Sequence, residues 1–340
     1  MSENKGQRPT IHDVAEHAGV SIATVSRVLN RTAPVAEKTV QRVYDAIGEL
    51  NYQPQAAART LASKKTNTIG LLLPEVGGPF FFPILQGIEN SAHTNGYNLL
   101  IHTASIPPEP GTGMMPLGLG EYNADGLIVF AHSLKEEELH RLHDNGLPLV
   151  LLHQSSPPGL NIPNVTFENK KGARKLVEHL ISHHDYRRIA YMAGPEEHED
   201  SYWREMGYLE ALHDHGIDFD PSLRLEGHFS PERAELEIKR ILSDGLEVDA
   251  IFSADDESAS GAMMALWEAG LRIPEDIAVV GFDDVQLASH LNPPLTTVRA
   301  PIEQVGSQAV NQLVRLMNGE TADEVTLLPT EIIIRKSCGC

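Results

Sequence analysis

The sequence predicts a small all-helical N-terminal domain followed by a larger α/β domain whose two lobes are built on doubly wound parallel sheets. Two patterns carry this prediction. Apolar residues recur at helical spacing over residues 10–50, whereas from Thr68 onward short apolar runs alternate with amphipathic stretches. The 340-residue chain is also too long for one average domain. We place the boundaries at residues 1–52, 53–65 and 66–340.

The composition is that of an ordinary globular protein, with 41% hydrophobic and 22% charged residues. No apolar run approaches the roughly 20 residues needed to span a bilayer, and the N-terminal segment MSENKGQRPT lacks the apolar region of a secretory signal. We therefore expect a cytoplasmic protein with no membrane partner. Cys338 and Cys340 are interpreted as free thiols, because a disulfide across one intervening residue would be strained.

The net charge of -20 is unevenly distributed along the chain. Residues 1–65 hold nine Lys and Arg against six Asp and Glu, so this segment carries about +3 and the remainder about -23. A small basic domain can bind phosphates, while a large acidic domain discourages non-specific attachment to DNA. The charge distribution therefore favours a nucleic-acid-binding N-terminal domain.

The segment TIHDVAEHAGVSIATVSRVLN has the pattern of a helix-turn-helix. Thr10 is placed to cap a first helix, Gly19 supplies the turn and Ser21 caps a second helix. In the second helix a buried stripe is formed by Val25, Val28 and Leu29. The opposite face presents Ile22, Ala23, Ser26 and Arg27. Side chains at this end of a helix reach base edges when the helix lies in the major groove.

A third helix is predicted from Glu37 to Leu50. It closes a three-helix core through residues at helical spacing, namely Val40, Val43, Tyr44, Ile47 and Leu50. Pro54 then opens a short Ala-rich helix with Ala58 and Leu61 on its exposed face. So small an apolar face cannot hold the helix folded in isolation, but its leucine can wedge between base steps in the minor groove. Residues 53–65 are therefore assigned to a hinge helix and linker.

Three segments resemble the lac repressor family of transcription regulators: TIHDVAEHAGVSIATVSRVLN, YQPQAAARTL and GFDDVQLASHLNPPLTTVR. The resemblance covers nearly the whole chain. It implies a repressor that binds a pseudo-palindromic operator as a homodimer, with paired hinge helices at its centre. It also implies that Ile22, Ala23 and Arg27 read bases and that Leu61 is the wedge. The residues that it implies hold phosphates or position the domain are Thr10, Ser21, Thr24, Asn30 and Tyr52.

Ile22 and Ala23 occupy the two positions that vary with the operator in such regulators. Neither side chain can form a bidentate hydrogen bond, so their readout must be apolar, for instance against thymine methyl groups. Arg27 is suited to the O6 and N7 atoms of guanine.

Seven apolar runs after Thr68 are predicted as buried parallel strands: IGLLLP, YNLLIH, GLIVF, LPLVLLH, RIAYMAG, AIFSA and IAVVGF. Ligands in such folds bind beyond the carboxyl ends of the strands. The polar and aromatic residues that follow the runs are therefore effector-binding candidates: Glu75, Phe80, His153, Arg204, Phe229, Asp255 and Asp283. Carboxylates and a guanidinium suit vicinal hydroxyls, and aromatic rings stack on C–H faces, so the set predicts a sugar.

The family resemblance implies a periplasmic-binding-protein-like fold for this domain. It also implies that Arg204, Phe229, Asp255 and Asp283 contact the effector. His153 replaces the acidic residue often found at its position, and Glu168 replaces the usual Asp, so the identity of the sugar stays open. Relatives include regulators released by an inducer and others that use a corepressor, and both remain alternatives.

Some candidates have a purely structural alternative. Asp256 and Asp284 could cap helices, and the run Phe80 to Phe82 could belong to the core. The Pro- and Gly-rich segment 106–120 cannot be a regular helix throughout, so we expect a loop there.

Two other classes of protein, an enzyme and a secreted sugar-binding protein, are alternatives. An enzyme is disfavoured because no GxSxG, HExxH or P-loop is present, although Asp255 and Asp283 could mimic a glycosidase pair. No metal-ligand spacing is seen, and His183 and His184 are expected to be solvated, so neither a metal nor a cofactor is predicted. A secreted sugar-binding protein would share the α/β domain but not the helix-turn-helix. The sequence ends without a leucine heptad, which favours a dimer over a tetramer built on a coiled coil.

Overall fold

The computed structural model describes residues 9–30, 33–52, 65–103 and 123–340. The chain divides into two compact units, Met1–Thr66 and Asn67–Cys340. The predicted hinge residues Ala58 and Leu61, and the segment 106–120, lie outside the described residues. None of the helices in the described ranges is long and apolar enough to cross a membrane.

The N-terminal unit contains three helices, α1 (Ile11–Ala18), α2 (Ile22–Asn30) and α3 (Glu37–Leu50). Their shared core is formed by residues of all three helices and the following turn: Val14, Ala15, Ala18, Val25, Val28, Val43, Ala46 and Tyr52. The bounds of α3 agree with the sequence prediction. Tyr44 does not belong to the core as predicted, because its side chain is 46% exposed while Val43 and Ala46 fill the buried face.

The second unit contains two six-stranded sheets. The first has the order β11-β5-β4-β3-β1-β2, and all of its strands are parallel: β1 (Thr68–Leu73), β2 (Asn98–Thr103), β3 (Gly126–Phe130), β4 (Leu149–Leu152), β5 (Asn164–Phe167) and β11 (Val325–Leu328). Strands β1, β3 and β4 are apolar and buried along their length, as parallel strands covered on both faces must be.

The second sheet has the order β12-β10-β9-β8-β6-β7. It contains β6 (Ile189–Ala193), β7 (Arg224–Glu226), β8 (Ala250–Ser253), β9 (Ala278–Asp283), β10 (Thr296–Arg299) and β12 (Glu331–Ile333). Only β12 is antiparallel to its neighbour. Both sheets therefore have the doubly wound form predicted from the alternation of strands and helices.

Eight α-helices are described in the second unit: α4 (Gly78–Thr94), α5 (Glu136–Asp144), α6 (Asn169–His184), α7 (Glu199–Asp214), α8 (Pro231–Ser243), α9 (Asp256–Glu268), α10 (Gln286–His290) and α11 (Ile302–Met317). A short 3₁₀ helix spans Pro221–Leu223. The packing of α4 on α11 requires glycine on both helices, because a Cβ at Gly87 or Gly306 would collide with the backbone of the other helix.

The chain passes three times between the two sheets, which defines two lobes. It leaves the first sheet after β5, returns through α11 to β11, and then adds β12 to the second sheet. The carboxyl ends of β1, β3 and β4 in one lobe and of β6, β8 and β9 in the other can therefore contribute to one site.

The structure differs from the predicted strands in two respects. YNLLIH forms β2 as an edge strand, and Leu100 and Ile101 are partly exposed rather than buried. Five strands were not predicted: β5, β7, β10, β11 and β12. They are three or four residues long and rich in Asn, Thr, Arg and Glu, so they lack the continuous apolar run that marks a central strand.

Candidate functional site

The helix-turn-helix is held by local caps. Thr10 and Asp13 form a reciprocal capping box at the start of α1, and Gly19 ends this helix with a φ of 61° in the left-handed region. At the start of α2 the backbone N–H of Thr24 donates to Ser21 Oγ at 3.2 Å. Each cap satisfies a backbone group that the first or last turn of a helix leaves without a partner.

The start of α2 presents the face that the sequence predicted for base reading. Ile22 is 39% exposed, Ala23 and Arg27 are exposed, and Ser26 is half-buried. An apolar side chain this exposed at a helix N-terminus is available to a partner such as a thymine methyl group. Thr24 is half-buried, and the side chain of Asn30 is outside what the structure describes.

Arg42 and Tyr52 hold the turn and the helices that carry this exposed face. The guanidinium of Arg42 in α3 donates to the carbonyl oxygens of Ala18 and Gly19, the latter at 3.0 Å, and thereby fixes the turn. The ring of Tyr52 is buried in the domain core, which places it to position the helices. The role of Arg42 had no signal in the sequence, because it depends on the approach of α3 to the turn.

In the second unit, a cavity of about 410 Å³ lies at the carboxyl ends of both sheets. All seven residues predicted to bind effector line it, together with further aromatic, acidic and histidine side chains: Glu75, Phe80, Phe81, Phe130, His153, His198, Asp200, Arg204, His228, Phe229, Asp255, Asp256, Glu257 and Asp283. Its volume is in the range of about 300–1,000 Å³ that small-molecule sites occupy.

Arg204 is the most unusual residue of the cavity, because its guanidinium is only 2% exposed. Its Nη2 donates to Asp283 Oδ1 at 2.9 Å and its Nε to Asn169 Oδ1 at 2.8 Å, while Nη1 donates to the carbonyl oxygen of Ala254. The guanidinium carbon lies 4.0 Å from the centre of the Phe282 ring. A buried charge is tolerated only when it is paired and hydrogen-bonded in this way.

His153 connects the two lobes. It follows β4 of the first lobe, and its Nδ1 lies 2.8 Å from Oδ2 of Asp200 in α7 of the second lobe. The ring packs edge-on against Phe80, with 5.6 Å between ring centres. The other ring nitrogen, Nε2, is buried and has no hydrogen-bond partner. A buried polar atom without a partner costs stability, and this one belongs to a residue that lines the cavity.

Several carboxyl groups of the cavity are buried close to one another, and their pKa values are shifted as a result. Burial raises the pKa of Asp283 to about 6, outweighing the opposing effect of Arg204. Burial and the nearby carboxylates of Asp255 and Asp283 raise the pKa of Glu257 to about 7. Burial opposes ionisation of Asp200, but His153 and Arg204 together hold its pKa below the ordinary value. Burial and the crowding of acidic groups therefore favour the protonated form of Asp283 and Glu257, whereas Asp200 is held ionised.

Comparison with known proteins agrees with both the helix-turn-helix and the two-lobed α/β domain. Residues 10–55 match the family model described as bacterial regulatory proteins, lacI family, and residues 177–338 match the periplasmic binding protein-like domain. The chain is 34% identical over 332 residues to the HTH-type transcriptional repressor PurR of Aliivibrio fischeri (strain MJ11), covering 96% of this chain and 98% of the relative. This chain belongs to the lacI family.

Solved structures of lacI-family proteins have the same fold. The lac repressor dimer bound to operator and the anti-inducer ONPF has a TM-score of 0.85 at 29% identity, covering 98% of this chain and 99% of that chain. A complex of the transcriptional regulator CelR with cellobiose has a TM-score of 0.68 at 30% identity, covering 97% and 100%. The expected helix-turn-helix and periplasmic-binding-protein-like architecture is thus confirmed.

Membership of the lacI family makes this chain a DNA-binding transcription regulator rather than an enzyme, as the sequence predicted. Repressors of this family bind operator DNA and small-molecule effectors and work as dimers. Asp255 and Asp283, which the sequence left open as a glycosidase pair, both line the cavity.

Several residues of this lacI-family cavity were missed or given another role from the sequence. Asp200 and Asn169 were not predicted, because each lies in the first turn of a helix rather than directly after an apolar run. Asp256, considered as a helix cap, accepts from Thr297 Oγ1 and the backbone N–H of Val285, and the cap of α9 is Asp255.

Asp284 and the phenylalanine run also differ from their structural alternatives. Asp284 does not cap a helix but pairs with Arg299 and Arg335. Phe80 and Phe81 pack against the hydrophobic core and also line the cavity, so the core alternative holds in part for them, whereas Phe82 is 70% exposed and is not part of the core.

The raised pKa of Asp283 gives a testable pH dependence. Below about pH 4 the carboxyl is protonated in both the folded and the unfolded state. Between about pH 4 and 6 the folded state binds more protons, so rising pH lowers the free energy of unfolding. Asp283→Asn removes this effect and keeps an oxygen for Arg204. We therefore expect the stability of the variant relative to the parent to increase from pH 4 to pH 7, by on the order of 2–3 kcal/mol.

Denaturant unfolding at several pH values measures this difference. The matched control is Asp276→Asn, because Arg272 lowers the pKa of the Asp276 carboxylate to about 2 and the residue stays ionised throughout the range. Its difference from the parent is expected to be constant above pH 5. A relative stability of Asp283→Asn that decreases with pH would show that the ion pair with Arg204 dominates over burial.

Proposed function

We propose that this lacI-family chain is a repressor of carbohydrate-utilisation genes, and that a sugar or sugar derivative bound in the cavity controls its affinity for operator DNA. The observation that supports this most strongly is the cavity itself. A buried guanidinium, several carboxyl groups, an imidazole and aromatic rings line one volume of about 410 Å³.

The hydrogen-bonding inventory matches a polyhydroxyl ligand. A guanidinium has five N–H donors, and the protein uses three of those on Arg204, which leaves two for a ligand. Asp255 and Asp283 supply carboxylate oxygens that accept from hydroxyl groups. A sugar hydroxyl both donates and accepts, so neighbouring hydroxyls can bond to the guanidinium and a carboxylate at once.

The aromatic residues of the cavity match the apolar C–H faces of a sugar. Phe80 reaches the cavity from the first lobe and Phe229 from the second. Ring faces bury the C–H groups of a sugar without competing for its hydroxyls. The complex of CelR with cellobiose supports the same ligand class, since that relative matches almost the whole of this chain.

Contacts between the lobes provide the route from ligand to DNA. His153 pairs with Asp200, and Ser155 donates from its backbone N–H and its hydroxyl to the Glu199 carboxylate at 2.7 and 2.8 Å. A ligand that touches both lobes favours one closure angle. In a homodimer, this angle would set the spacing between the first lobes of the two chains. That spacing would then determine whether the two hinge helices can pack against each other at the centre of a pseudo-palindromic operator.

We propose that helix α2 recognises the operator. Ile22 and Ala23 read apolar base edges, and Arg27 reads a guanine. We further propose that residues 53–65 act as the hinge and that Ala58 and Leu61 contact the minor groove, with Leu61 as the wedge. A regulator that binds an operator works where the DNA is, so we propose a cytoplasmic location.

The effector is tested by a thermal-shift screen of monosaccharides and disaccharides on the full chain. A ligand that binds only the folded state raises the melting temperature, and it contributes about 2.7 kcal/mol at 100 times its Kd. Asp255→Asn keeps the helix cap, since Asn caps as well as Asp, but it removes a charged acceptor from the cavity. We expect this variant to bind the sugar that scores in the screen at least about tenfold more weakly.

The matched control is Asp220→Asn, which replaces a helix cap far from the cavity lining and is expected to leave sugar affinity unchanged. Operator binding without sugar should be the same in the parent and both variants. A screen without a single stabilising sugar, or equal sugar affinities for the parent and Asp255→Asn, would contradict the sugar assignment.

The base-reading role of Arg27 is tested by measuring binding to a library of operator variants. Arg27→Ala should lose about 1–3 kcal/mol of specific binding and relax the preference at one base pair in each half-site. Lys38→Ala, at the exposed start of α3, removes the same charge without touching α2 and should leave the preference intact. An unchanged preference profile after Arg27→Ala would exclude this role.

A further inference from the structure

Two histidines and two cysteines converge on the surface of the second lobe, away from the cavity. His179 and His184 lie in the last turns of α6, and Cys338 and Cys340 follow β12. The four potential ligand atoms all lie within 4.8 Å of one another. This arrangement corrects the expectation that His184 is solvated, because its Nε2 lies 3.3 Å from Cys340 Sγ.

We infer that the end of α6 and the segment after β12 together bind one zinc-class divalent cation through four ligands, namely His179, His184, Cys338 and Cys340. The interatomic distances support this assignment. Nε2 of His179 is 3.8 Å from Cys338 Sγ and 3.5 Å from Cys340 Sγ. A nitrogen about 2.0 Å and a sulfur about 2.3 Å from one tetrahedral Zn²⁺ are about 3.5 Å apart.

The ligand chemistry is that of zinc. Two thiolates and two imidazoles in a tetrahedral arrangement select Zn²⁺ over Mg²⁺ or Ca²⁺, which prefer oxygen. The Nε2 atoms of His179 and His184 both lie beside Cys340 Sγ, and a neutral imidazole nitrogen is a common zinc ligand. Four protein ligands would close the coordination sphere, which is typical of a structural rather than a catalytic site.

The surrounding residues hold the ligands in place. Thr296 Oγ1 donates to Cys338 Sγ at 3.2 Å, which orients this sulfur. The ring of Tyr186 stacks on His184, and its hydroxyl donates to the carbonyl oxygen of Cys338 at 3.3 Å. Gly339 has a φ of 104°, a conformation that lets the chain turn between the two cysteines.

The position of the site indicates its effect. The cysteine segment follows the last strand of the second sheet, and a metal would fasten it to α6. The first residue of α6 is Asn169, whose side chain holds Arg204 in the cavity. The metal therefore stabilises the helix that carries part of the effector site, at the end about 24 Å away.

The experiment uses the full chain without an affinity tag, reduced with a phosphine so that no added thiol competes for metal. Co²⁺ replaces Zn²⁺ as a spectroscopic probe, because tetrahedral Co²⁺ bound by thiolates has intense visible bands and a sulfur charge-transfer band. We expect one Co²⁺ per chain, displacement of the bands by one equivalent of Zn²⁺, and a melting temperature raised by Zn²⁺.

Cys340→Ser is the test variant, because Cys340 is exposed and its replacement leaves the core intact. It should lose about half of the charge-transfer intensity and bind Zn²⁺ at least about tenfold more weakly. The control is His213→Gln, which removes an exposed histidine outside the cluster and should match the parent. Absence of the thiolate bands in the parent, or the same bands and affinity in Cys340→Ser, would overturn the site.

Discussion

The burial of Arg204 is the constraint on which the effector site depends. Moving a guanidinium out of water costs several kcal/mol, and removing one partner of such a pair leaves an uncompensated charge. Arg204 therefore requires Asp283, Asn169 and the carbonyl oxygen of Ala254 to be in place together. These partners come from the ends of β9, α6 and β8, so the charge fixes three elements of the second lobe at the cavity.

The sheet topology brings both lobes to the cavity that contains the charge of Arg204. Parallel strands bring their carboxyl ends to one edge of the sheet, and the three passages between the sheets bring two such edges to one cavity. The first lobe then contributes mainly aromatic rings, His153 and Glu75, whereas the second contributes Arg204 and the other carboxyls. The contacts of His153 with Asp200 and of Ser155 with Glu199 join these halves. A ligand in contact with both halves would therefore act on these contacts between the lobes.

The sequence predicted much of this site because its signals were local. Helix caps such as Thr10 and Ser21, and residues directly after apolar runs such as His153 and Asp283, are identified by neighbours in the chain. What it could not predict depends on contacts between distant segments. Arg42 supports the turn from another helix, and His184 meets Cys340 across 156 positions. Short strands such as β7 were missed because they are defined by pairing rather than by composition.

The central claim is that the cavity and the operator-binding helices are coupled. Linkage requires that operator DNA alter sugar affinity by the same factor by which sugar alters operator affinity, whichever sign the effect has. Calorimetry of sugar binding to the full chain, with and without saturating operator, measures this factor directly. We expect operator DNA to change sugar affinity about 5- to 150-fold, equal to the change in operator affinity caused by the sugar. Identical sugar affinities in the two titrations would contradict it.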